Sequence, residues 1–284
     1  MYSPKQSSCQ LTRKLLRYLV PFAFGAIFIA WVGVPLVYCI LWSAVNPDYP
    51  WSYPAAFPER LSLFHWKYIL ENANILQAAG SSFFIAICTT FLSFLLALPT
   101  SYALGRRKLK GAGFYKMLML LPMVLPGMAM AIFLGRMILS MGFSGTYLGV
   151  ILAHTLMGIP YMMRILVVSF EAVPQDLVDA AANLDATAVT RFFEVYLPMV
   201  LPGLVAGSIF TFINSMEEFN LTFIIGLPTV RTIPTVLFSY LGESFARTRA
   251  SVVSLILLIP NITLLLITER FIKTEYMGAA LGKM

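Results

Sequence analysis

Two adjacent carboxylates, Glu217 and Glu218, stand in a run that is otherwise uncharged from Val195 to Ile225. A charge among apolar residues is costly, and inside a membrane it is a functional-site candidate by default. Neighbouring residues on a helix point about 100° apart. One carboxylate can therefore line a pathway and attract a cationic solute while the other pairs with Arg231 or with a partner subunit. Asn214, Ser215 and Asn220 add neutral polar groups beside them. His154 is the one ionisable residue between Met137 and Met163, a setting that suits a hydrogen bond to a neighbouring helix better than a gating role. No Gly-x-x-x-x-Gly-Lys-Ser/Thr loop is present, and Gly105, Gly111 and Gly113 have the wrong spacing to cradle a phosphate. Cys9, Cys39 and Cys88 offer neither a metal-ligand spacing nor a disulfide framework. The chain is thus expected to bind no cofactor of its own and to hydrolyse no ATP.

The elements that must position these groups follow from composition. Of 284 residues, 59% are hydrophobic and 12% charged, with a mean hydropathy of +0.80. Soluble domains carry about twice that share of charge, so a disordered chain, a coiled coil and an ordinary soluble enzyme are excluded. Continuous apolar runs predict an all-α polytopic membrane protein with six transmembrane helices near 18–42, 77–104, 116–139, 147–170, 199–225 and 251–269. Strand barrels would alternate instead. The first run is too long for the apolar part of a cleaved leader and is expected as a retained helix. Fourteen lysines and arginines fall on one side of the spans against six on the other. By the positive-inside rule both termini are cytoplasmic. The division is a tail 1–17, a six-helix transmembrane domain 18–269 with the cytoplasmic loop 171–198, and a tail 270–284. The net charge of +7 reports topology, not nucleic acid. Pro122 and Pro126 are expected to kink the third span. Trp31, Trp42, Trp51, Tyr49 and Tyr53 are expected at the membrane interface or in the external loop.

One cytoplasmic loop breaks the charge pattern. Residues 171–198 carry Glu171, Asp176, Asp179, Asp185 and Glu194 against Arg191, an acidic insert suited to docking another protein. Pro174 and Asp176 suit a helix start, Thr187 is a candidate N-cap, and a second stretch from Arg191 is expected to end at Leu197-Pro198. The insert therefore reads as helix, turn, helix along the membrane surface. Asp179-Ala180-Ala181, then Asp185, then Val195, then Leu197-Pro198 resembles, at every spacing, the "EAA" loop of binding-protein-dependent ABC importer permeases. In that family the loop is a coupling helix docked in a cleft of the cytosolic ATPase. Asp179 replaces the family Glu on a shorter stem. Asp185 replaces a Gly that permits a left-handed turn, and Asp is among the few other residues that tolerate one.

The likeness spans about residues 16–270. Leu61–Tyr68 looks like the external segment before the second span. Ser215-Met216-Glu217-Glu218-Phe219, Gly226-Leu227-Pro228 and Thr232-Ile233-Pro234-Thr235 look like the second permease of spermidine/putrescine-type importers. This resemblance implies a type I ABC importer permease fold in a bacterial-type inner (plasma) membrane. Its implied partners are a second permease (a paralogue, with a second copy of this chain as the alternative), two ATPase subunits that bind ATP and Mg, and a periplasmic solute-binding protein. Coupling would fall to Asp176, Asp179, Ala180, Ala181, Leu184, Asp185, Leu197 and Pro198. The solute pathway would fall to Glu217, Glu218, Asn214, Ser215 and Asn220. A polyamine is the expected solute, with iron(III), an aminophosphonate or another small solute as alternatives. Two other classes weigh less. An intramembrane serine protease is suggested by Gly142-Phe143-Ser144-Gly145, but His154 lies about 15 Å further along the same helix, out of reach of Ser144. A secondary carrier lacks internal similarity between the two halves and has no use for a docking loop.

Overall fold

The computed structural model describes residues 4–281 apart from Tyr53, Lys108 and Ser244, with side chains from Arg17 to Glu269 apart from Tyr18, Glu243 and Thr268. Tyr53, Lys108, the Cys9 side chain and the side chains of both tails beyond these limits lie outside it. Helices account for the regular structure: α1 Pro4–Ser43, α2 Phe64–Asn72, α3 Ile75–Arg106, α4 Ala112–Met119, α5 Leu121–Val124, α6 Gly127–Ser140 and α7 Tyr147–Glu171. They continue with α8 Gln175–Asn183, α9 Ala188–Arg191, α10 Leu197–Glu217, α11 Ile233–Phe238 and α12 Arg247–Leu281, with π-helical turns at Phe192–Tyr196, Thr222–Gly226 and Ser239–Glu243.

Five stretches among the described residues are long and apolar enough to cross a membrane: Leu19–Ser43, Ile75–Arg106, Tyr147–Glu171, Ala188–Glu217 and Arg247–Ile267. The expected span 116–139 is instead assembled from α4, α5 and α6. Pro126 lacks an amide hydrogen and forces its predecessor out of the helical region; Leu125 accordingly sits at ψ 144° and the helix restarts at Gly127. Proline there interrupts the segment rather than kinking it. The expected end at Leu197-Pro198 is also absent. A widened turn at Phe192–Tyr196, with the Leu197 N–H bonded to the Phe192 carbonyl, runs straight into α10. Such a π turn accommodates the bond that Pro198 cannot make. Trp42 and Trp51 form a small external core with Tyr38, at centroid distances of 4.8 Å (Trp42–Trp51) and 5.7 Å (Tyr38–Trp51). Trp31 lies exposed halfway along the first apolar stretch rather than at its end.

The centre is a three-helix seam of α3, α7 and α10, packed through small residues. Without water to drive association, helices in lipid gain most from close backbone approach. A Cβ on Gly158 of α7 would lie 2.8 Å from Ser93 Oγ of α3 and 2.9 Å from Thr211 Cγ2 of α10. One on Gly207 would lie 2.9 Å from Met162 Sδ, and one on Gly105 2.9 Å from Phe170 Cβ. Ser93, Ser101, Thr89 and Thr211 are all fully buried along this seam. Replacing Gly158 with Ala is expected to cost about 1–3 kcal/mol by overpacking. Gly25→Ala, which meets nothing within 4 Å, is expected to be neutral or stabilising by up to about 1 kcal/mol. Thermal unfolding of the two variants in detergent measures the difference.

Candidate coupling surface and translocation site

The acidic insert folds as the sequence predicts, in finer detail. Helix α8 begins after Pro174, whose ψ of 132° makes it the cap, and Asp176 lies in the first turn, where a negative charge faces the positive helix end. Val178, 5% exposed, is the side chain that α8 buries, joining a core of Leu104, Met163, Leu166, Phe170, Tyr196 and Val200. Ala181 and Ala182 are half-buried, and the rest of the helix faces outward. Asp176, Asp179 and Ala180 are exposed, and Asp179 accepts a hydrogen bond from Gln175 Nε2 at 2.8 Å, one turn back on the same helix.

Asp185 is left-handed, with φ 59°. Its N–H donates to the Ala182 carbonyl and the Ala186 N–H to the Ala181 carbonyl, each at 3.1 Å. Those paired bonds are a Schellman termination, which needs a positive φ at the residue after the cap. Thr187 then caps α9, accepting from the Thr190 N–H at 3.2 Å. The turn leaves Leu184 82% exposed and Val189 66% exposed, two apolar side chains projecting beside the carboxylates. Leu197 and Pro198 lie at the head of α10, the first half-buried and the second exposed.

The second cluster sits where the fifth crossing is interrupted. Helix α10 stops at Glu217; Glu218 has ψ 111°, and the helix resumes at Asn220. Glu218 Oε1 accepts the Leu221 N–H at 3.1 Å, so this carboxylate caps the resumed segment. Glu217 points elsewhere: it is exposed and accepts from Asn261 Nδ2 of α12 at 2.7 Å. Neither carboxylate pairs with Arg231, one of the two partners expected for whichever of them does not line the pathway. Arg231 instead lines an outer polar cavity of about 340 Å³ with Asn74, Gln77, Ser81, Tyr147 and Thr229. Ser215 is buried and Asn214 and Asn220 half-buried. A Cβ on Gly127, at the restart of α6, would come within 3.0 Å of Asn220 Nδ2. The two interruptions thus face each other.

His154 spans the second interruption. Its Nδ1 lies 2.9 Å from Ser215 Oγ, before the break, and its Nε2 lies 3.0 Å from Thr222 Oγ1, after it. With the ring 2% exposed, the histidine is a cross-brace between helices, and Ser144 has no part in it. Sequence reasoning missed two participants. Asn261 reads as one polar residue in an apolar span. Arg106 reads only as a topology charge, yet it touches α7, the start of α8 and Tyr196. Its position at the last turn of α3 was the available signal.

The profile of the family described as "Binding-protein-dependent transport system inner membrane component" matches residues 97–274. The chain is 27% identical over 188 residues to the sulfoquinovosyl glycerol transport system permease protein SmoH of Agrobacterium fabrum, covering 66% of each chain. It is 23% identical over 226 residues to the spermidine/putrescine transport system permease protein PotC of Haemophilus influenzae, covering 78% of this chain and 85% of that one. Among solved structures, a chain of a bacterial ABC transporter involved in the import of the acidic polysaccharide alginate superposes with a TM-score of 0.67 at 15% identity, over 95% of this chain and 98% of that one. That superposition establishes the fold.

The left-handed Asp185 yields a direct expectation. Asp185→Gly removes the strain of the positive φ and is expected to stabilise by about 0.5–1 kcal/mol. Asp185→Val is expected to destabilise by at least about 1 kcal/mol. Chemical unfolding of the purified variants reads both.

Proposed function

Because this chain belongs to the binding-protein-dependent transport system inner membrane components, a family of ABC permease subunits whose ATP is hydrolysed by a separate subunit, we propose that it forms half of the translocation pathway of an inner-membrane importer for a small cationic solute of the polyamine class. A second permease, expected as a paralogue, completes the pathway. Two ATPases bind ATP and Mg on the cytosolic side, and a solute-binding protein delivers the solute outside. The observation that carries the solute reading is Glu217: an exposed carboxylate beside an interrupted crossing, with an amide rather than a cation as its hydrogen-bond partner. A negative group in such a place attracts a positive solute and holds it weakly enough to release it. The spermidine/putrescine name of the PotC relative agrees with this charge.

A second reading is favoured by a different observation. Asn214, Asn220 and Asn261 gather near the break, and Phe219, Phe223 and Phe238 stack beside it with centroids 4.7–5.3 Å apart. Amides with aromatic faces also suit a sugar, and the SmoH relative is named for sulfoquinovosyl glycerol, a glycosyl glycerol. Asp176, Asp179, Ala180, Ala181, Leu184 and Asp185 form the ATPase contact in either case, supported by the exposure of all but the half-buried Ala181 on a segment whose inner face is anchored by Val178.

Uptake by the assembled complex in proteoliposomes distinguishes the readings, with polyamines, a sugar, iron(III) and aminophosphonates as competitors. Glu217→Gln is expected to lower polyamine uptake about tenfold, the worth of about 1.4 kcal/mol, while ATPase subunits remain bound. Sugar uptake insensitive to Glu217→Gln, with no polyamine competition, would replace the cation reading by the sugar reading. Asp179→Lys is expected to abolish uptake and to weaken ATPase co-purification; uptake at the unmodified rate would remove α8 from the contact.

A further inference from the structure

The structure assigns Arg106 the part of a positioning residue that ties the ATPase-facing helix to the second crossing, so that α8 and α3 move as one body. The inference rests on the reading of 175–186 as the ATPase contact and adds the path by which displacement leaves it. Arg106 is in the last turn of α3. Its Nη1 donates to the Val173 carbonyl at 2.9 Å and to the Phe170 carbonyl at 3.4 Å, its Nη2 to Gln175 Oε1 at 2.5 Å, and its Nε to the Tyr196 hydroxyl at 3.3 Å. The guanidinium carbon also lies 5.1 Å from the Tyr196 ring centroid. One planar cation thereby joins the end of α3, the end of α7, the first residue of α8 and the turn that feeds α10.

The chemistry explains why an arginine stands there. The final carbonyls of α7 have no partner within the helix and carry its negative end. The guanidinium meets one of them, that of Phe170, together with the Val173 carbonyl two residues beyond the helix, because its five donors are held in one rigid fork. A lysine at the same place would be a single mobile point charge and would not reach α7, Gln175 and Tyr196 together. Gln175 extends the chain of contacts: its Oε1 receives Arg106 while its Nε2 donates to Asp179 Oδ1 at 2.8 Å. The series Asp179–Gln175–Arg106 thus runs from the outward carboxylate to the backbone of the second crossing. Around it, Tyr102 of α3 packs edge-on against Phe170, Phe192 and Tyr196 at 5.3–5.7 Å, so that the cation sits against a stiff aromatic wall.

Proteoliposomes containing the whole complex test this, reading both ATP hydrolysis and solute taken up per ATP. Arg106→Gln is expected to keep ATPase subunits bound and to keep hydrolysis within about twofold of the parent. Solute per ATP is expected to fall at least about tenfold, with Arg106→Lys recovering only part of the loss. An Arg106→Gln complex with the parent's ratio overturns the inference, as does full recovery with Lys. Should Arg106→Gln fail to accumulate, Gln175→Ala and Tyr196→Phe each remove one partner and leave the guanidinium in place. A severalfold lower ratio in either supports the link, and parental ratios in both overturn it. A parent chain that co-purifies with no ATPase would instead defeat the underlying reading, a result visible before any variant is made.

Discussion

An interrupted helix inside an apolar medium must find partners for the backbone groups it exposes, and that constraint organises this protein. Each unsatisfied group in hydrocarbon costs several kcal/mol. The chain breaks two of its crossings, at Leu125-Pro126 and at Glu218-Phe219, and sets the breaks against each other at Gly127 and Asn220. The second break is closed locally by Glu218, which caps the resumed helix, and laterally by His154, which bonds a hydroxyl on each side of the gap. Polar side chains that look costly in sequence are therefore the terms that make the broken backbone tolerable.

This constraint separates two carboxylates that composition alone treats as a pair. Glu218 is occupied with the backbone of its own segment. Glu217 is left facing outward with Asn261, and that difference follows from which of them occupies the cap position rather than from chemistry. The same logic operates at the other end of the seam, where the α8 carbonyls are closed by the Asp185 turn and those of Phe170 in α7 and Val173 just beyond it by Arg106. Both ends of the long seam are thus finished by side chains that also face the candidate working surfaces.

Much of this was legible in the residues. Uncharged runs located the fourth crossing to within a residue of α7, and the spacing of Asp179, Asp185 and Leu197-Pro198 located a helix, a left-handed turn and a second helix. Asp185 could be read because the loops it resembles carry a glycine there, and Asp is among the few other residues that tolerate a positive φ. The interruptions were harder. Pro126 announces a disturbance, but whether a proline kinks or breaks a helix depends on what packs against the restart, and Asn220, beside Gly127, lies nearly a hundred positions away. Glu218-Phe219 carries no proline or glycine at all, so its break has no local signal. The partners of Arg106 and Glu217 were invisible for the same reason: Tyr196 and Asn261 meet them only through tertiary packing.

The placement of continuous and broken helices then limits how motion can pass through the molecule. Helices α3 and α7 run unbroken and are pressed together through Gly105 and Gly158, so a displacement at one end reaches the other with little loss. Along α7, the stretch from Phe170 beside Arg106 to His154 covers sixteen residues, about 24 Å of helix. At its far end this pair packs against α6 and the resumed part of the fifth crossing through an apolar core that includes Ile85, Ala131, Leu134, Ile138, Val150 and Leu221. Continuous helices lie where the candidate docking surface attaches, and broken ones where Glu217 and the facing breaks lie. An element that must transmit force needs the first arrangement, and one that must open around a solute needs the second.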